Sequence, residues 1–138
     1  MKLFSLLSIV LISWLLTACS NVCKDAGIKG RYELESKDRL YSLELDERGI
    51  GRLSVNGKAV GDLRWALLDE DARLELDASG SAYKTLRQAG AFDAPPPDAI
   101  KVHRGAFTLP AECSWQGKLV RLAMNIDRDI YFRRARAK

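Results

Sequence analysis

Few residues of this chain have both the type and the spacing to do chemistry. Ser81-Ala82-Tyr83-Lys84 sets a lysine three residues after a serine, the spacing at which an amine can take the proton of a nucleophilic hydroxyl. Enzymes using that pair also carry a Ser-Asp-Asn and a Lys-Thr-Gly segment downstream, and neither follows here. Asn125, Asp127 and Asp129 alternate like the first ligands of a calcium loop, but the loop glycine and the closing glutamate are absent. A polar hairpin between Met124 and Ile130 accounts for them better. His103 is the only histidine, so a histidine-rich metal site or a Ser-His-Asp triad would have to be built around it alone. At the edge of a strand beside Arg104, it reads as a surface side chain. No acid, base and nucleophile can be assembled, and the expectation is a protein without catalytic activity, metal or cofactor.

The three cysteines carry the remaining chemistry, and the first sits in a distinctive setting. Lys2 precedes an apolar run from Leu3 to Leu16, and Leu16-Thr17-Ala18-Cys19 closes it. Those 14 residues are fewer than the roughly 20 that span a bilayer core. The segment resembles a bacterial lipoprotein signal peptide with its lipobox. The resemblance implies removal of residues 1–18, acylation of Cys19 and, with Ser20 in place of aspartate, delivery to the outer membrane, the folded part facing the periplasm. Cys23 and Cys113 then remain as an even pair in an oxidising compartment and are expected to form a disulfide closing a loop of about 90 residues. The residues around Cys113 (Pro110-Ala111-Glu112-Cys113-Ser114) offer no base to activate a free thiol.

Processing would leave 120 residues, enough for one domain. The expected division is a signal peptide at 1–18, a lipidated tether at 19–29 and a single domain at 30–138. The processed chain would carry 21 Lys and Arg against 18 Asp and Glu. An excess this small, without clustering, does not make a nucleic-acid-binding face. The tail Arg133-Arg134-Ala135-Arg136-Ala137-Lys138 concentrates four cations; a frayed, solvated end is expected, with attraction to anionic headgroups or peptidoglycan carboxylates as the functional reading.

The elements that must position these residues read as short strands. Tyr41, Leu43 and Leu45 alternate with Ser42, Glu44 and Asp46, the two-residue period of a strand with one buried face. A turn at Glu47-Arg48-Gly49 follows, then Gly51, Leu53 and Val55 on the next strand. Asn56-Gly57 is a strong hairpin signal because both residues tolerate positive φ. Leu63, Trp65 and Leu67 alternate again, as do Leu74 and Leu76 against Arg73, Glu75 and Asp77, before Ser79-Gly80, read as a further hairpin turn. Ser81 to Gln88 fits either one more strand or two turns of helix closed by Gly90; strand is the preferred reading. Pro95-Pro96-Pro97 lies in a loop within one domain. Strands resume at Ile100–Val102, Phe107–Leu109, Leu119–Met124 and Ile130–Phe132. Trp65, Tyr41, Phe107 and Tyr131 are expected to face inward, and Trp115, beside Gln116-Gly117, to be exposed in a turn.

About eight short strands with one buried face each predict an all-β protein, a small antiparallel barrel or strongly curved sheet, since closure removes exposed edges. The segments Gly30-Arg31-Tyr32, Leu43-Glu44-Leu45, Gly49-Ile50-Gly51, Gly61-Asp62-Leu63-Arg64-Trp65 and Leu74-Glu75-Leu76 resemble lipocalin-like barrels of envelope lipoproteins, including the amino-terminal domain of the copper-resistance lipoprotein family, without that family's paired-cysteine motif. Leu76-Asp77-Ala78-Ser79-Gly80-Ser81-Ala82-Tyr83 and Arg104-Gly105-Ala106-Phe107-Thr108-Leu109 resemble two segments of the membrane-bound inhibitors of c-type lysozyme. That resemblance implies contacts to the lysozyme's catalytic carboxylates from Ser79 or Ser81 and from Arg104, with Tyr83 in the same motif. Arginine stands where that family has lysine, and a planar guanidinium is apt for a carboxylate. With Trp115 as an exposed contact, the expected function is a lipid-anchored binding protein that inhibits or neutralises a peptidoglycan-cleaving enzyme. The alternative is a lipocalin-like lipoprotein that holds a small apolar ligand or supports envelope maintenance.

Overall fold

A computed structural model describes residues 22–68, 73–91 and 104–136. Eight strands form: β1 (Gly30–Ser36), β2 (Arg39–Leu45), β3 (Ile50–Val55), β4 (Lys58–Leu67), β5 (Arg73–Ser79), β6 (Arg104–Cys113), β7 (Leu119–Asn125) and β8 (Ile130–Arg134). Each pairs antiparallel with its neighbour in sequence, and β8 pairs back onto β1 through Tyr32↔Arg134 and Glu33↔Arg133, which closes the barrel. Register shifts between Leu53 and Ser54, Glu112 and Cys113, and Ala123 and Asn125 give the local bends that closure of a small sheet requires. Ile100–Val102, His103 and the Pro95–Pro97 loop lie outside the described residues.

The tight turns follow local backbone chemistry. Asn56-Gly57 connects β3 to β4 with φ of 51° and 82°, as a primed hairpin turn demands. Lys37-Asp38 joins β1 to β2 the same way, at 51° and 64°, without a glycine. In the β2–β3 turn the Asp46 carboxylate accepts from the backbone N–H of Arg48 at 2.9 Å and of Ile50 at 3.0 Å. These hydrogen bonds favour the charged form and hold the carboxyl below its ordinary range, the Ile50 bond contributing most.

Inward side chains fill the barrel. Tyr32, Leu43, Leu53, Leu74, Leu76, Phe107, Leu119, Leu122 and Phe132 are fully or almost fully buried, consistent with an eight-stranded interior just wide enough for side chains. Tyr41 and Trp65 point inward as expected, and the Trp65 indole donates to Asp46 O at 3.0 Å. Tyr131 does not. The triplet Ile130-Tyr131-Phe132 has no polar residue to set its phase, and Phe132 takes the inward position. Tyr131 lies half-buried on the outer wall, with the Arg121 guanidinium 4.4 Å and that of Arg133 5.7 Å from its ring centre.

Ser81 to Gln88 is not a strand, and Ser79-Gly80 is not a hairpin turn. Gly80, at φ +58°, turns the chain from β5 into helix α1 (Gly80–Leu86), and a wider turn runs on over Arg87–Ala91. Ala82, Tyr83, Leu86 and Ala89 are buried, a helical period that fixes which face meets the barrel. Small residues make the seat. The Ala82 Cβ lies 3.5 Å from the place a Cβ on Gly61 would take, and a Cβ on Gly105 would come within 2.7 Å of the Tyr83 ring.

Cys23 and Cys113 form the expected disulfide, with Cα atoms 5.3 Å apart. The tail departs from the expected frayed end, because Arg133 and Arg134 belong to β8. Arg134 donates to Leu119 O (2.6 Å), Gly27 O (2.8 Å), Lys29 O (3.0 Å) and the Tyr32 hydroxyl (2.7 Å). Tyr32 donates in turn to Ile28 O. One guanidinium thus joins β7, β8, β1 and the segment preceding β1. Burial pushes the Tyr32 phenol up to about 12, outweighing the opposing effect of Arg134.

Candidate functional site

The strand order sorts the candidate residues between the two ends of the barrel. β5 finishes at Ser79 and β6 starts at Arg104, and these two residues are register partners. The tether enters at the other end, where Cys23 meets Cys113 at the close of β6. Ser79, Ser81 and Arg104 therefore gather at the end remote from the tether. Trp115 lies in the β6–β7 turn at the tether end, so the fold does not bring it to the other candidates.

At the remote end Ser79 and Ser81 are exposed. Arg104 has 78% of its side chain exposed and meets Asp77 through one contact of 3.4 Å. A single exposed ion pair of that length contributes between nothing and about 1 kcal/mol, so the guanidinium can exchange Asp77 for an incoming carboxylate at little cost. Next to it on β4, Arg64 lies opposite Asp77 in the register and makes no ion pair among the described residues. An open groove on the outer wall runs from Ile50 past Asp62, Arg64 and Asp77 to Ser79 and Arg104. Arg64 was not singled out in the sequence, although the alternation of Leu63-Arg64-Trp65 places it outward and beside the strand that ends at Ser79.

Tyr83 belongs to the core rather than to this surface. It is 5% exposed, its ring centre lies 5.5 Å from that of Phe107, and the Arg87 guanidinium sits 5.7 Å from its ring centre. Ser81 and Lys84 are both exposed on α1, and the Ser81 carbonyl accepts from Thr85 Oγ1 at 2.7 Å. In the β7–β8 hairpin, Asn125 Oδ1 accepts from Arg128 N at 3.2 Å, which serves the turn itself. Among the described residues no group of three or more His, Cys, Asp or Glu could hold a metal ion. His103 lies outside them.

The rest of the outer wall is laced with opposite charges. Arg121 pairs through two nitrogens with both Glu112 oxygens, Arg52 lies 3.6 Å from Asp62, and Arg31 lies 3.0 Å from Glu33. The Arg121 bond holds Glu112 below the usual carboxylate range. No family model matches this chain, and neither a curated protein nor a solved structure matches it. The class defined by the fold is a helix-capped, disulfide-braced, closed eight-stranded antiparallel barrel.

Proposed function

We propose that this chain is a lipid-anchored binding protein, held on the outer membrane through Cys19 and facing the periplasm, that inhibits or neutralises a peptidoglycan-cleaving enzyme and has no catalysis of its own. The observation that carries the reading is the pairing of Ser79 with Arg104 at the end of the barrel opposite the tether. A partner approaching from the periplasm would meet that end first. The site offers hydroxyl groups and an exchangeable guanidinium, a set suited to paired carboxylates such as those of a muramidase cleft. Arg64 adds a second cation to the same wall. The partner-contact set is thus Ser79, Ser81 and Arg104.

The alternative, a barrel holding a small apolar ligand, receives no support from the interior, which packed side chains occupy. The test is muramidase activity of c-type lysozyme in the presence of the oxidised chain from residue 20. Dose-dependent inhibition that Arg104→Ala abolishes or weakens supports the reading. Full activity at micromolar excess removes c-type lysozyme as the target.

A further inference from the structure

A large aromatic side chain stands in water at the end of the barrel where the chain enters. Trp115 is 80% exposed, and Val22 and Val120 at the same end are 53% and 46% exposed. The backbone beneath the indole is firmly held. Ser114 N donates to Lys118 O at 2.8 Å, Gly117 N to Ser114 O at 2.9 Å, and Lys24 N to Gly117 O at 3.0 Å. The disulfide fixes Cys113, two residues before Trp115, to Cys23. Gly117 is at φ +82°, and a Cβ there would come within 2.5 Å of the Lys24 side chain, so the tether strand lies directly on this turn. Lys24 and Lys118 flank it, both exposed.

We infer that this end of the barrel, centred on Trp115, seats on the surface of a lipid bilayer. The indole would sit in the headgroup region, where an apolar ring with one N–H donor is at home, and Lys24 and Lys118 would face anionic headgroups. The connection sets the geometry. Cys23 lies four positions after Cys19, with three residues between them, a path of at most about 14 Å fully extended, only about twice the depth of one headgroup layer. A barrel so closely tethered, and cross-linked beside Trp115, cannot hold that turn far from the interface. β4 ends and β5 begins at this same end, with Asp69, Glu70 and Asp71 between them in the sequence, so insertion of the ring and the local charge of Lys24 and Lys118, not the net charge of this end, carry the contact. The inference rests on the membrane attachment proposed above and is independent of inhibition.

The experiment supplies the tether artificially, so that it does not depend on acylation of Cys19. All eight strands, α1 and the disulfide lie within residues 22–136, so the chain from residue 20 contains the whole barrel. It would carry an amino-terminal hexahistidine tag and be held on vesicles of phosphatidylcholine and phosphatidylglycerol containing a nickel-chelating lipid. Trp65→Phe leaves Trp115 as the single tryptophan; if that variant does not fold, the difference between the wild-type chain and Trp115→Ala gives the same signal. The expected result is quenching of Trp115 by acyl chains brominated near the headgroup, loss of most of its quenching by aqueous iodide, and weakening of both effects in Lys24→Glu/Lys118→Glu. Trp115 that stays fully open to iodide and unquenched by brominated lipid, in a tethered and folded barrel, overturns the inference. Labelling of Cys19 with a radioactive fatty acid tests the natural anchor separately.

Discussion

Replacing Arg134 by methionine keeps an unbranched side chain of similar length and removes every donor of the guanidinium. Four acceptors lose their partner: the carbonyls of Gly27, Lys29 and Leu119 and the Tyr32 hydroxyl. The contact to Lys29 O is exposed, so water replaces it readily; the other three are partly buried. A net hydrogen bond to a charged donor contributes about 1.5 kcal/mol at the low end. Three such bonds give about 4.5 kcal/mol, and water reaching the carbonyls returns part of it, leaving a destabilisation of about 3 kcal/mol. For a domain of this size that lowers the melting temperature by about 10 °C. The assay is urea denaturation of the oxidised chain from residue 20, followed by circular dichroism. Arg136→Met is the control, since Arg136 is exposed, and a surface change of this kind is expected within about 0.5 kcal/mol of wild type. Arg134→Lys should recover little, because one ammonium cannot reach acceptors on three segments. A loss below about 1 kcal/mol for Arg134→Met, or equal losses for Arg134→Met and Arg136→Met, refutes the view that this guanidinium fastens the barrel seam.

Three further outcomes follow from the packing and the titrating groups. Gly105→Ala puts a methyl 2.7 Å from the Tyr83 ring; α1 must shift, at a cost of about 1–3 kcal/mol by thermal unfolding, whereas Gly57→Ala, with nothing within 4 Å, costs only its turn strain. Tyr32 keeps its proton in the folded state up to about pH 12, against an ordinary value of 10.0. Stability is therefore fully present below pH 10 and is lost as pH rises from 10 towards 12, by about 3 kcal/mol, and Tyr32→Phe should flatten that alkaline slope in denaturation curves taken across this range. The disulfide closes a loop with a sequence separation of 90, for which chain entropy gives about 4.6 kcal/mol, so Cys23→Ala/Cys113→Ala should reduce the denaturant midpoint accordingly while the circular dichroism of any folded fraction stays that of a barrel.

The strands were legible wherever a polar residue marked each outward position. Tyr41 to Leu45 and Arg73 to Asp77 alternate without interruption, and the Asn56-Gly57 turn sets the register of β3 and β4 at Ser54 and Val55, beyond which a bulge shifts it. The Lys37-Asp38 turn carries no such mark, since neither residue is a usual hairpin signal and the pairing of β1 with β2 imposes its positive φ. Helix α1 was ambiguous because a run of eight residues with alanine, tyrosine and leucine fits both periods. What decides it is the space left by Gly61 and Gly105 on strands distant in sequence. Tyr131 misled for a related reason, as an apolar triplet leaves the phase of β8 to its neighbours. At the candidate site the motif segments drew Ser79 and Arg104 into view, and only the pairing of β5 with β6 makes them adjacent. That pairing also separates Trp115 from them, a relation between two ends of a barrel that no local pattern encodes.

The measurement that bears most directly on the proposed site is calorimetric titration of c-type lysozyme with the oxidised chain from residue 20, run in parallel for Arg104→Ala and Trp115→Ala at low and at physiological salt. The account predicts binding by the wild-type chain, about tenfold or more weaker in Arg104→Ala from loss of a charge-assisted contact, weaker at higher salt, and unchanged in Trp115→Ala, whose side chain stands at the opposite end. Absence of binding at micromolar concentration, or binding that Trp115→Ala weakens and Arg104→Ala does not, contradicts it.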